Sequence, residues 1–194
     1  MLPLAWYFCT FSRCKMRDIQ SIEIPEIKIP TITMVRREVD FSRLKQLILE
    51  FATSIDFDLS YQNFLLELST IDDVYSPPNG IAYILSQNNN TIGCVGIQIL
   101  NPGVCVVKRL FIRSDFKAPH FGKQLLKVAI DWATQKGMRK LLMDSADIMH
   151  CISKLCKDEG FFEVSSFNDD NMGNQKCYEM RLTPKSARNL QAAS

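Results

Sequence analysis

From Thr31 onward the apolar residues fall into runs of two periods, and the alternation between them predicts the order of the elements. Ile32 and Met34 with Val35 suggest a strand. Asp40 then stands where a helix N-cap would, and Phe41, Leu44, Leu47, Ile48 and Phe51 follow at helical spacing. Tyr61, Phe64, Leu65 and Leu68 repeat that spacing over 60–71, and Ser76-Pro77-Pro78-Asn79-Gly80 breaks the chain. Three apolar runs, 81–85, 91–100 and 104–112, are separated by the turn formers Asn88-Asn89-Asn90 and Asn101-Pro102-Gly103, the pattern of an antiparallel meander. The helical period then returns: Phe121, Leu125, Leu126, Ala129, Ile130 and Ala133 line one face of a helix ending near Gly137. Residues 139–144 predict a strand, 148–158 a helix, and 161–164 and 177–182 two last strands. The order is strand, two helices, three strands, helix, strand, helix, strand, strand, with no long repeat.

Residues 1–30 carry no such period, although Pro25 and Pro30 bracket the alternating run Glu26-Ile27-Lys28-Ile29, which suits a sheet edge. We expect an N-terminal extension over 1–30, one domain over 31–183 and a tail over 184–194. Leu2 to Phe11 is apolar and aromatic, but it lacks a preceding basic stretch and a following small-residue cleavage site, and it is too short to span a bilayer. A tail, a peripheral packing segment or a start placed too far upstream fits it better than a secretory signal.

Composition narrows the class of protein. With 194 residues, 46% apolar and 23% charged, the chain suits one packed core of an ordinary globular kind. Its net charge of +2, with both signs interspersed, leaves no basic stripe for a phosphate backbone, so neither nucleic acid nor a membrane is expected as a partner. The seven cysteines are odd in number and form no CxxC pair, and Cys94 and Cys105 lie in apolar runs as free buried thiols would. A reducing, cytoplasmic setting follows as the expectation. His150, Cys151 and Cys156 do not fall on one helix face, so no metal site is expected. A homodimer remains open.

Chemistry concentrates where the run 104–112 passes through 113–119 into the helix beginning near Phe121. Up to about four backbone N–H groups at a helix start lack helical partners, and the macrodipole adds about half a positive charge, so phosphates bind there without a cation. Gly122 permits close backbone approach, Lys117 and Lys123 flank the turn, and Pro119 at the first helical position forfeits no helical hydrogen bond. On spacing alone this also fits an ordinary helix start.

The residues here resemble a family. Val107-Lys108-Arg109-Leu110-Phe111-Ile112-Arg113 followed by Lys117-Ala118-Pro119-His120-Phe121-Gly122-Lys123-Gln124-Leu125-Leu126 is similar to the central motif of GNAT N-acetyltransferases, a Lys-Arg-Leu-Tyr-Val-Arg strand and an Arg/Gln-x-x-Gly-x-Gly/Ala loop before a helix. Leu142-Met143-Asp144-Ser145 matches the next strand, and Leu155 with Gly160-Phe161 matches Leu-Tyr-x-x-x-Gly-Phe. Phe57-Asp58-Leu59-Ser60, Gln62, Glu67-Leu68 and Tyr75-x-Pro77-Pro78-x-Gly80 resemble a bacterial subgroup, so the likeness runs in order from Thr31 to Leu182.

The resemblance implies an α/β (α+β) fold: a mixed, mostly antiparallel central sheet flanked by helices, with a splayed strand pair at the cofactor site. It implies acetyl-CoA as co-substrate and an amine of a small molecule or protein as acceptor. Amides of Ala118, Pro119's turn, His120, Phe121, Gly122 and Lys123, with Lys117, would hold the CoA pyrophosphate. The edge of Leu110, Phe111 and Ile112 would pair with the pantetheine arm. The thioester would lie between that strand and 140–144, with an amide near Leu110 on its oxygen, and transfer would be direct. Gln62, Glu67 and Tyr75 fall in the region that, by resemblance, covers the acceptor.

Three positions depart from the pattern. His120 replaces the first loop glycine, where its imidazole would donate to phosphate, crowd the loop or face solvent. Val106 replaces a glutamate of the subgroup, which leaves Glu67, Asp73 or water as the base. Cys156 replaces the tyrosine that protonates the departing thiolate, so it is either a thiol acid or a buried helix-face cysteine. Expected catalytic residues are therefore Cys156 and Glu67. The competing reading is a GNAT-fold module that binds acyl-CoA without turnover, and a third is a phosphate-binding α/β protein unrelated to CoA.

Overall fold

The computed structural model describes residues 29–54, 62–116, 118–146, 150–165 and 175–183. The expected extension over 1–30 and the tail over 184–194 thus lie almost wholly outside the described residues.

Among the described residues, seven strands form one sheet: β1 (Thr31–Met34), β2 (Gly80–Gln87), β3 (Asn90–Asn101), β4 (Val104–Ile112), β5 (Lys140–Ala146), β6 (Phe162–Val164) and β7 (Gln175–Arg181), in the order β1-β2-β3-β4-β5-β7-β6. Every pairing is antiparallel except β4 with β5. Parallel neighbours need a crossover, and helix α4 (Pro119–Gln135) provides it. Helices α1 (Glu38–Ser54), α2 (Gln62–Ser69) and the single turn α3 (Ile71–Val74) precede β2, and α5 (His150–Asp158) follows β5. This is the mixed, mostly antiparallel, helix-flanked sheet expected from the sequence.

Local chemistry explains the element boundaries. The β2–β3 hairpin turns at Asn88 and Asn89, both with positive φ (51° and 63°), the backbone that a two-residue hairpin demands and asparagine tolerates. Pro102-Gly103, with Gly103 at φ 86°, closes the β3–β4 hairpin. Helix α4 ends in a Schellman motif: Gly137 sits at φ 72°, Met138 N–H donates to Ala133 O at 2.9 Å and Gly137 N–H to Thr134 O at 3.1 Å. At α1 the helix begins two residues before the N-cap expected at Asp40. Asp40 is its third residue, and its carboxylate reaches back to accept from Arg37 N–H at 3.2 Å, the reciprocal half of a capping box.

The sheet has a core on each face. On one, α4 and α5 pack Phe121, Leu125, Leu126, Ala129, Trp132, Ala133 and Cys156 against Val95, Ile97, Cys105, Val107, Leu141 and Tyr178. On the other, α1, α2 and α3 pack Leu44, Leu47, Ile48, Phe64, Leu68 and Ile71 against Ala82, Ile84 and Cys94, with Tyr75 among them. Tyr75 lies directly over Gly96, where an added Cβ would collide with the tyrosine ring. Gly96→Ala is therefore expected to push Tyr75 off its seat and cost about 1–3 kcal/mol, the usual range for overpacking. A urea melt followed by circular dichroism measures it. Among the described residues no helix is long and apolar enough to cross a membrane.

Candidate active site

β4 carries the site because it does two different things along its length. Its first residues pair with β5, from Val104 opposite Lys140 to Val107 opposite Met143. Beyond that point β5 continues along β7 as far as Ala146, and β4 continues along β3 as far as Ile112, but the two no longer pair with each other. A wedge opens between Lys108–Ile112 and Asp144–Ala146, the splayed pair that the family resemblance implied. Leu110, Phe111 and Ile112 lie on its β4 side, each half-buried.

At the open end of the wedge stands the start of α4. Ala118 is the extended N-cap (φ −124°, ψ 135°), Pro119 occupies the first turn, and no side chain caps this end. Phe121 N–H turns back to Ala118 O at 3.0 Å, and its ring is buried in the core, so Phe121 anchors this end by packing and leaves the unpaired amides to its neighbours. An uncapped start of a 17-residue helix carries unpaired N–H groups and the positive end of the macrodipole. A Cβ on Gly122 would meet only Leu155 Cδ2, at 3.6 Å, so the protein itself does not fill the space that glycine leaves. His120 is exposed, its ring 4.2 Å from that of Phe121, and it does not plug this end. Lys123, expected to lend charge to the turn, instead pairs with Glu159 at 2.8 Å. Lys117 lies outside the described residues.

The acceptor side is built differently from the sequence expectation. Glu67, the candidate base, accepts two hydrogen bonds from Arg109 (Nε–Oε1 2.9 Å, Nη2–Oε2 2.6 Å) and a third from the Tyr75 hydroxyl at 2.6 Å. Burial is the largest single influence and would raise its pKa, but Arg109 and Tyr75 together outweigh it and hold the carboxyl below its ordinary value. A carboxylate so held has little appetite for a proton. Tyr75 is 1% exposed; burial first, and then the charge of Glu67, pushes its hydroxyl well above the ordinary range, so it stays protonated and serves as a donor. Its hydroxyl meets Glu67 and its ring Gly96, rather than solvent. Asp73 is exposed on α3, Val106 is buried, and the side chain of Gln62 lies outside the described residues.

Cys156 is fully buried, with its Sγ 3.4 Å from Met143 Sδ, and burial pushes its thiol up to about 12. Met143 is the last residue of β5 paired with β4, so Cys156 packs at the apex of the wedge. A thiol that holds its proton to such a pH gives it up reluctantly to another thiolate, whose ordinary pKa is about 8.5. We expect Cys156→Ala to lower kcat by less than about tenfold, against the 10²–10⁴-fold that a true general acid contributes. The pH–rate profile should keep its basic limb, and a lost limb would restore the acid role.

Arg109 is the functional candidate that the sequence reading missed. It takes φ 57°, and the register jumps there from Gly96 opposite Lys108 to Cys94 opposite Phe111, so Arg109 and Leu110 together face Val95. That is a β-bulge. A left-handed non-glycine residue costs about 1–2 kcal/mol, and such strain gathers at functional sites. The packing shows it, while the unbroken apolar run 104–107 hides it in the sequence. Cys105 and Val107 pack toward α4, and so do Leu110 and Ile112, a gap of three where a regular strand allows only two.

Comparison with known proteins agrees with this architecture. Residues 42–151 match the acetyltransferase (GNAT) family. Over 133 residues the chain is 29% identical to an uncharacterised N-acetyltransferase of Schizosaccharomyces pombe, across 68% of this chain and 82% of that one. Its fold is similar to that of a GNAT-family acetyltransferase from Staphylococcus aureus Mu50, with TM-score 0.69 and 17% identity over 80% of this chain and 100% of that one. An acetyltransferase from Streptococcus agalactiae gives TM-score 0.66 and 15% identity over 79% and 98%. The chain belongs to the GNAT acetyltransferase family, and membership supports acetyl transfer as its general activity.

Proposed function

We propose that the protein transfers the acetyl group of acetyl-CoA to an amine, of a small molecule in the first instance and of a protein in the second. One observation carries the reading: β4 and β5 part after Val107 and Met143 directly beside the uncapped, glycine-bearing start of α4. A helix end of the kind that takes anions, beside a strand edge free of its former partner, supports the reading. Ala118, His120 and Gly122 would offer backbone amides to the diphosphate, and Leu110–Ile112 an edge to the pantetheine arm. Acetyl-CoA supplies the activated acyl group. The amine nitrogen forms the new bond to the acyl carbon as the carbon–sulfur bond breaks, water takes the nitrogen's proton and returns one to the departing thiolate, and CoA leaves as the thiol. The protein contributes mainly proximity and hydrogen-bond donors, because Glu67 and Cys156 are both engaged elsewhere.

Those two engagements also favour a second reading, a GNAT-fold module that binds acyl-CoA without turnover. A thiol-release assay with acetyl-CoA and a panel of small amines, beside a thermal-shift titration with acetyl-CoA, separates the two. Steady CoA release supports the enzyme. Thermal stabilisation without release supports the module, and neither response would sink both.

A further inference from the structure

We propose that Arg109 is a positioning residue: its two-pronged hold on Glu67 fixes the left-handed bulge that sets which backbone groups of β4 face the wedge. The inference rests on the acetyl-transfer reading above. In a strand the N–H and C=O groups point alternately to its two edges, so one inserted residue exchanges the edges for everything that follows. The bulge at Arg109–Leu110 lies two residues past the last pairing with β5. It therefore decides which amides from Leu110 onward are presented to the gap.

Every part of Arg109 is held to this end. Its carbonyl accepts from the Cys94 thiol at 3.3 Å, its Nε and Nη2 bond Glu67 at 2.9 and 2.6 Å, and its guanidinium lies 4.9 Å from the Phe64 ring centroid. Glu67 in turn is fixed by Tyr75, and Gly96, opposite Lys108, leaves the room that Tyr75 fills. Phe64 and Glu67 both stand on α2. The strained residue of the cofactor strand is thereby clipped to a helix of the opposite face, and strain of this kind persists only where its surroundings over-determine it.

Two double variants of the full chain separate the bulge from the ion pair. Arg109→Gly/Glu67→Gln and Arg109→Ala/Glu67→Gln both delete the pair without stranding a charge, but only glycine takes positive φ freely. Acetyl-CoA and CoA are each titrated while the Leu110 amide is followed by ¹⁵N NMR, and kcat is measured with an amine that the wild type uses. The glycine variant should keep a Leu110 shift that distinguishes acetyl-CoA from CoA, and the alanine variant should lose it. The alanine variant's kcat should lie at least about tenfold below the glycine variant's, with similar thermal midpoints. Equal behaviour of the two variants overturns the inference while the acetyl-transfer reading stands. A wild type whose amides ignore acetyl-CoA overturns that reading, and the inference falls with it.

Discussion

Gly122→Glu is expected to abolish acetyl-CoA binding while leaving the protein as stable as before, or slightly more so. The two effects have opposite signs for one reason, the field at the start of α4. Glycine inside a helix costs about 1 kcal/mol relative to good helix formers, and a carboxylate in the first turn gains about 0.3–1 kcal/mol from the macrodipole. The new Cβ meets Leu155 at an ordinary contact distance of 3.6 Å, so the helix accepts it. A diphosphate approaching the same amides would find a like charge at about 5 Å, worth about 3 kcal/mol at an effective dielectric of 20. That is about two decades of affinity, before any steric loss. Gly122→Ala keeps the contact but not the charge and should lose only a few-fold. Isothermal titration with acetyl-CoA, beside a thermal melt, reads both quantities, and unchanged affinity in Gly122→Glu would remove the diphosphate from this helix end.

How much of this was legible in the sequence depended on the scale of the signal. The switch of apolar period at Phe121 located α4 because burying one helix face imposes that spacing over 17 residues. The asparagine and Pro-Gly turns located the meander because their backbones need those residue types. The splay came only from the resemblance to the family, since nothing in the run at 104–112 says that its pairing with β5 stops at Val107. What escaped was decided by single contacts across long sequence distances. Glu67 looks like a free carboxylate until Arg109, 42 residues away, is folded onto it. Lys123 looks like a phosphate-directed cation until Glu159 comes within 2.8 Å. Spacing along the chain holds no information on either pairing.

Arg109→Met should be the most destabilising substitution in the site, at about 3–5 kcal/mol, because it leaves the Glu67 carboxylate buried with only the Tyr75 hydroxyl. Glu67→Met in the same chain should restore most of the loss, since an apolar pair of similar volume often matches a buried ion pair. The pH dependence gives the sharper test. In the wild type the folded-state pKa of Glu67 lies below its ordinary value. Its pair therefore contributes stability that is fully present above about pH 4.5 and is lost as pH falls through the folded pKa. Without Arg109 the remaining dominant influence is burial, which raises the folded-state pKa above the unfolded one. The sign then reverses: the folded state of the variant binds the proton more tightly, and acidification toward about pH 4.5 stabilises it relative to neutral pH. Urea melts from pH 7 down to about pH 4.5 should show the gap between wild type and Arg109→Met closing as Glu67 takes up its proton. A gap that stays constant over that range would mean that the carboxylate had already found water or another cation, and that the pair is held at the surface in solution.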